Sequence, residues 1–198
     1  QYQTSVNKLK TQEGNLNREL RTRRDQIAKA QKRIEEIIAE EARRSTGQVR
    51  TATEQAQITA LSGKFDENKG RLPYPVSGGV IIDRYGTHPH PTQPGLTINN
   101  KGVNIAAGRS AEVTAIFEGS VTKVFSVPGL NNCVMLRHGN YITLYANLAA
   151  VSVKTGDKVG LNQRVGRLSD SPNNDDNYLH FELWRETTNL NPEQWLRR

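Results

Sequence analysis

Histidines are the residues of this chain best able to bind a metal ion or move a proton, since its 198 residues include four histidines and one cysteine. A single cysteine excludes a disulfide framework and a cysteine-based zinc site. In the run Tyr-Leu-His-Phe-Glu, the alternation of a strand would place Tyr178 and His180 on one face. His88 and His90 could lend ligands to a metal site, or they could be two exposed imidazoles of a proline-rich loop.

Four short motifs, read in chain order, carry a resemblance to a known family. They are Asp-Arg-Tyr-Gly at 83–86, Asn-Asn-Lys-Gly-Val-Asn-Ile-Ala-Ala at 99–107, Leu-Tyr-Ala-Asn-Leu at 144–148 and Tyr-Leu-His-Phe-Glu at 178–182. Together they are similar to the signature of the lysostaphin-like (LytM) zinc endopeptidases of bacterial cell walls. The resemblance covers residues 73 to 196 and implies a mainly β LytM/lysostaphin-like domain, sandwich-like or barrel-like.

The resemblance also shows where the chemistry of that family has been lost. Asn100 and Asn104 stand where the family has its first two zinc ligands, a His and an Asp, and His180 stands at the third ligand position. Asn147 and Tyr178 replace the two catalytic histidines. A catalytic zinc site needs three protein ligands, and a neutral carboxamide is a poor donor that supplies no charge. We therefore expect no metal, no cofactor and no catalytic residue, but a cleft that still binds.

The charge of the chain is positive but spread out. The net charge is +7, and residues 1–70 carry 14 Lys/Arg against 10 Asp/Glu while the remainder carries 13 against 10. A diffuse surplus suits an anionic surface such as a cell-wall polymer. Nucleic-acid binding would need a tighter basic cluster, and no apolar run reaches membrane-spanning length.

The elements that must position these residues fall into three parts. Residues 1–45 are predicted to form one long helix, because from residue 5 onwards they contain no proline and many strong helix formers. A heptad places the following residues on one seam: Val6, Leu9, Glu13, Leu16, Leu20, Arg23, Ile27, Ala30, Ile34, Ile37 and Glu41. Such a narrow apolar stripe indicates a coiled coil, which needs a packing partner. A plain spacer helix is the alternative.

Residues 46–72 are predicted to be a linker or regulatory segment with a short amphipathic piece from 54 to 65. Residues 73–198 are predicted to be the β domain, because short β-branched or aromatic runs alternate with turn residues. We predict strands at 79–83, 97–104, 112–115, 119–126, 132–137, 141–147, 164–168 and 179–184.

A coiled coil followed by a LytM domain without metal ligands resembles the EnvC-type murein hydrolase activators. That resemblance implies a periplasmic protein of a Gram-negative bacterium that activates an N-acetylmuramoyl-L-alanine amidase during daughter-cell separation. It also implies that the coiled coil docks on an FtsEX-like membrane complex, and that residues 46–72 are the segment able to cover the amidase-binding groove. We place the partner contacts at Lys101, His180 and Arg185.

Three other functions remain open from the sequence. The first is a zinc endopeptidase with unusual ligands, acting on peptidoglycan cross-links. The second is a module that binds peptidoglycan directly in the cleft. The third is an adaptor of an export pump, which the Gly-Asp-Lys-Val loop at 156–159 favours but the ordered LytM motifs do not.

Overall fold

The computed structural model describes residues 2–89, 97–171 and 177–197, with side chains from residue 6 onwards. Two helices, α1 (Tyr2–Gly47) and α2 (Ala52–Glu67), precede an all-β region. The strands are β1 (Val80–Asp83), β2 (Gly86–Pro89), β3 (Thr97–Asn100), β4 (Val103–Ala106), β5 (Glu112–Thr114), β6 (Gly119–Val127), β7 (Asn131–His138), β8 (Tyr141–Leu148), β9 (Ala150–Val151), β10 (Lys158–Val159), β11 (Arg164–Arg167), β12 (Tyr178–Arg185) and β13 (Thr188–Leu190). A 3-10 turn, Pro192–Gln194, follows. The predicted fold class, a long helix before a mainly β LytM-like domain, is confirmed.

The main sheet has eight strands, in the order β1-β4-β12-β8-β7-β6-β10 with β13 beside β12. Neighbouring strands in this sheet pair antiparallel throughout the described residues. Its central strand β8 is buried along its whole length, which indicates that both faces of the sheet are covered. On one face lies the main apolar core, which includes Val103, Leu136, Tyr145 and Phe181.

Helix α1 covers the other face. Its side chains Ala30, Ile34, Ile37 and Ile38 are buried in one apolar cluster with residues of β7, β8 and β12. The second half of the seam therefore has the sheet of the same chain as its packing partner. In the first half the seam is open, because Leu9 and Leu16 are 64% and 58% exposed.

Helix α2 is fixed to the sheet at the β7–β8 turn. It begins with a capping box between Thr51 and Glu54, which satisfies backbone N–H groups that the helix start leaves free. At its other end Phe65 is fully buried and stacks on Tyr141 at a centroid distance of 4.6 Å. Ser62 Oγ accepts a hydrogen bond from the Asn140 backbone N–H at 2.9 Å.

Two predictions about the strands need correction. The strand expected over 97–104 is two strands, β3 and β4, separated by a bend at Lys101 and Gly102. At this bend Gly102 passes so close to the Phe181 carbonyl that a Cβ atom would collide with it, so the position needs glycine. The short strands β2, β9, β10 and β13 were not predicted. No helix within the described residues is long and apolar enough to cross a membrane.

Candidate functional site

The predicted site lies on the sheet face that α1 covers. Along β12, odd-numbered residues such as Phe181 point into the main core, whereas Trp184 belongs to the cluster under α1. Residues of one parity share a face of a strand, so His180 and Glu182 lie on the same side as Trp184. The antiparallel register pairs His180 with Asn104 of β4. The sheet thus brings two of the three ligand positions next to each other.

Asp83, which ends β1, joins the two asparagines at the first and second ligand positions. Its Oδ2 atom accepts hydrogen bonds from Asn100 Nδ2 at 2.9 Å and Asn104 Nδ2 at 3.3 Å. Asn100 reaches this point from β3 and Asn104 from β4, not from one strand as predicted. A bulge in β1 next to Asp83 directs the carboxylate toward both amides.

His180 is held between two oxygen acceptors. Its Nδ1 atom lies 2.7 Å from Asn104 Oδ1, and its Nε2 atom lies 2.8 Å from Glu182 Oε1. The Asn104 amide presents its oxygen to His180 because its nitrogen donates to Asp83. Both ring nitrogens of His180 are therefore engaged in hydrogen bonds within the site.

Glu182 is a fully buried carboxylate with three side-chain donors. They are His180 Nε2, Trp184 Nε1 at 2.7 Å and Gln31 Nε2 at 2.9 Å, the last from α1. Burial alone would raise the pKa of Glu182. The hydrogen bond and the Coulomb interaction with His180, together with the hydrogen bonds from Gln31 and Trp184, outweigh burial and leave the pKa below its ordinary value. The side chain is therefore ionised at neutral pH. Gln31 and Asp83 belong to the site although neither was predicted there from the sequence.

These residues do not suit a zinc ion. Zinc would need electron pairs from the first two positions, but there Asn100 and Asn104 turn their N–H groups toward Asp83. The carboxylate they bind is the only formal charge among these three side chains, and it is held as a hydrogen-bond acceptor. Among the residues that the structure describes, no group of three or more His, Cys, Asp or Glu side chains is placed to hold a metal.

Of the two histidines that could lend ligands to a rearranged metal site, His88 contacts this network. His88 Nε2 lies 2.9 Å from Asp83 Oδ1 and is 28% exposed. His90 lies outside the described residues. With Asp83, His88 forms an ion pair if protonated, and this pair extends the polar network to the surface.

The two lost catalytic positions meet at the other end of the cleft. Asn147 adopts a left-handed backbone conformation, with φ of 69°, which asparagine tolerates better than most residues. Its Nδ2 donates to the Tyr178 carbonyl oxygen at 2.8 Å, and its Oδ1 accepts from Asn131 Nδ2 at 2.7 Å. A cavity of about 650 Å³ here is bounded by Asn131, Asn147, Ser169 and Tyr178 on one side and by α1 residues 15–26 on the other. Of the five degenerate positions, Asn147 and Tyr178 border this cavity, whereas Asn100, Asn104 and His180 do not.

Ion pairs flank the apolar contact between α1 and the sheet. Lys101 Nζ lies 3.7 Å from Glu35, Lys123 Nζ 3.3 Å from Glu40, and an Arg137 guanidinium nitrogen 3.1 Å from Glu41. The first two pairs are largely solvent-exposed, so each contributes at most about 1 kcal/mol. The isoleucines between them supply most of the attachment.

The structure does not bring the three predicted partner contacts together. Lys101 faces Glu35 of α1, and His180 is buried on the sheet face that this helix covers. Arg185 lies at the far end of β12, over the ring of Tyr141 near α2. Five residues of strand, about 16 Å, separate Arg185 from His180. The partner-binding role of these residues stays a prediction.

Comparison with known proteins gives the family of the β domain. Residues 98–192 match the model of Peptidase family M23. The chain is 25% identical to the murein hydrolase activator EnvC of Escherichia coli over 206 aligned positions, which span all of this chain and 48% of that protein. It is 34% identical to stage II sporulation protein Q of Bacillus subtilis over 107 positions, 49% of this chain and 38% of that protein. The chain thus spans less than half the length of these relatives.

A solved structure shows the same fold. The structure of the SpoIIQ-SpoIIIAH pore-forming complex superposes with a TM-score of 0.54 at 25% identity, over 65% of this chain and 92% of that one. The matched share of this chain is about as large as its β domain. The fold, the ordered motifs and the match of residues 98–192 show that the chain carries a domain of the Peptidase family M23 (LytM) type, with similarity to the murein hydrolase activator EnvC and to stage II sporulation protein Q.

Proposed function

We propose that this protein is a non-catalytic activator of a peptidoglycan amidase, an N-acetylmuramoyl-L-alanine amidase, in the periplasm. The observation that carries the proposal is that the former ligand positions bind one another and Asp83. A network that satisfies its own hydrogen bonds holds a cleft in shape but provides no activated water. Similarity to the murein hydrolase activator EnvC along the whole chain supports activation rather than hydrolysis.

The position of α1 suggests how such an activity is restrained. The helix lies across the face that carries His180, Glu182 and Tyr178, so a partner reaches that face only after α1 has moved away. The described arrangement is therefore the closed form of the proposed activator. An FtsEX-like membrane complex, acting on the exposed seam at Leu9 and Leu16, would shift the balance toward the open form.

The regulatory role of residues 46–72 stays a prediction, and the position of α1 suggests what that role would be. The segment that contacts the cleft is α1, whereas α2 is fixed at the opposite end of the sheet through Phe65 and Ser62. We propose that residues 46–72 hold the C-terminal end of α1 near the sheet while its N-terminal part is released.

Dye release from labelled sacculi tests the proposal. We expect no release by this protein alone, and faster release by a candidate amidase when this protein, with α1 loosened, is added. Release by the protein alone would support the zinc endopeptidase alternative instead. Lack of stimulation of every candidate amidase would contradict activation.

Direct binding of peptidoglycan is a second candidate, which the amide-lined cavity favours. The Asn131 and Asn147 side chains and the Tyr178 position provide polar groups of the kind that contact peptides. Sedimentation with purified sacculi in the absence of amidase separates the two functions. A protein that binds sacculi and stimulates no amidase would be a binding module.

A further inference from the structure

Glu182 is the point at which a partly buried polar contact joins the degenerate site to α1. The carboxylate is fully buried, and two of its three side-chain donors, His180 and Trp184, come from its own strand. The third donor is Gln31 of α1, at 2.9 Å from Oε1. Docking of α1 thus removes Glu182 from water and at the same time replaces the lost water by an amide N–H.

We propose that Gln31 is a positioning residue that sets the register in which α1 docks on the degenerate site. The inference rests on the proposed role of α1 as a cover, and it deepens that role by naming the contact that selects the closed arrangement. Apolar burial holds the helix on the sheet, and the bond from Gln31 to Glu182 decides where along the sheet the helix stops.

The apolar seam fixes this register only in part. A shift of one helical turn, by four residues, puts Ile34 in the place of Ala30 and Ile38 in the place of Ile34, and it puts Glu41 in the place of Ile37. Shifts of one turn in either direction would place Ile27, Ala28, Ile34 or Glu35 opposite Glu182 instead of Gln31. The three apolar side chains offer no donor, and Glu35 would add a second carboxylate. One buried polar pair can specify helix register in this way.

Cys133 provides a built-in reporter of the docked helix. It is the single cysteine of the chain, and it is fully buried in the same cluster as Ala30, Ile34 and Ile37 of α1. Burial, with a smaller effect of Glu182, raises the pKa of its thiol to about 12, so the thiol is unreactive in the closed form. Alkylation of Cys133 therefore measures the population in which α1 has left the sheet.

The first experiment compares alkylation rates of the full chain carrying Gln31→Leu or Gln31→Glu. We expect an increase of about tenfold for Gln31→Leu, which leaves Glu182 one donor short. For Gln31→Glu we expect about a hundredfold, because two carboxylates would share a buried site. Gln12→Leu and Gln12→Glu, on the exposed half of the same helix, are the matched controls and should leave the rate unchanged. Equal rates for the Gln31 and Gln12 variants would refute the proposal.

A second experiment reads the register itself. A Cβ atom on Gly129 would lie 3.5 Å from Gln26 Cβ, within the range of disulfide-linked cysteines. Gln26→Cys with Gly129→Cys, in a Cys133→Ser background, therefore reports the docked register by disulfide formation. Adding Gln31→Leu should slow this disulfide several-fold, because slipped registers become populated. An unchanged rate would mean that Gln31 contributes to stability without setting the register. Neither experiment contains an amidase, so neither depends on whether amidase activation is right.

Discussion

Shortening Ile34 to alanine is the most informative single change at the contact between α1 and the sheet. Ile34 is fully buried in the cluster that includes Ile37, Ile38 and Trp184. Complete burial of an isoleucine contributes about 1.5–3 kcal/mol, so the three isoleucines together contribute about 5–9 kcal/mol. The flanking ion pairs add little beside this.

Ile34→Ala should weaken the docking of α1 by about 2–4 kcal/mol, because it removes buried methyl groups and leaves a cavity. Since about 1.4 kcal/mol corresponds to a factor of ten, the opening equilibrium should rise between about 30-fold and about 700-fold. The β domain itself should keep its fold, because Ile34 belongs to the cluster on the outer face and not to the main core.

Two measurements on the full chain check this prediction. The alkylation rate of Cys133 should rise by the factor given above, and stimulation of the amidase should rise in parallel without any membrane complex. Leu16→Ala is the matched control, because it shortens the same seam where Leu16 is 58% exposed. If Ile34→Ala left the reactivity of Cys133 at the wild-type rate, α1 would not be held by this face. If reactivity rose and stimulation did not, α1 would not be the restraint.

Three further predictions follow from the same structure. Lys101→Glu should abolish amidase stimulation and leave the fold intact. Glu35→Lys, which breaks the same ion pair from the α1 side, should increase stimulation. Equal losses of stimulation in the dye-release assay would show that the ion pair matters, and not Lys101 as a contact of the amidase. Burial lowers the pKa of His138 to about 4, so below about pH 6.5 this histidine binds a proton in the unfolded chain but not in the folded chain. The free energy of unfolding should therefore fall by about 2 kcal/mol between pH 7.5 and pH 5. His138→Asn should lose this part of the pH dependence in urea unfolding, and an unchanged slope would contradict a neutral buried imidazole. Asn100→His combined with Asn104→Asp should create zinc binding detectable by calorimetry, because it restores two ligands beside the remaining imidazole, whereas the parent chain should show none; zinc binding by the parent would contradict the degenerate site.

The helix and most strands could be predicted from the sequence because local chemistry decides them. The absence of proline between residues 5 and 44 indicates a long helix, and a glycine with a positive φ makes the turn at Gly139. At the break between β3 and β4, Gly102 closely approaches the Phe181 carbonyl. That contact joins residues far apart in the chain, so no local pattern reveals it.

The centre of the site could be predicted only in part. Ordered motifs locate Asn104 and His180, which cross-strand pairing brings together. The role of Asp83 depends on a bulge, and the contact of Gln31 with Glu182 joins residues 151 positions apart. The heptad pattern predicts that α1 needs a partner but does not say that the partner is the sheet face carrying the degenerate site.

Amidase stimulation by a protein whose α1 is reversibly fixed in place tests the central claim most directly. The protein carries Gln26→Cys, Gly129→Cys and Cys133→Ser. A cysteine at position 129, where φ is +91°, lowers the stability of the fold by about 1–3 kcal/mol. Gln26→Cys alone in the same background is the control. With the disulfide closed, the membrane complex and amidase together should release no more dye from sacculi than the amidase alone, and a reductant should restore stimulation. Full stimulation by the oxidised protein, or dye release without any amidase, would contradict an account in which a cleft without zinc activates a partner once α1 uncovers it.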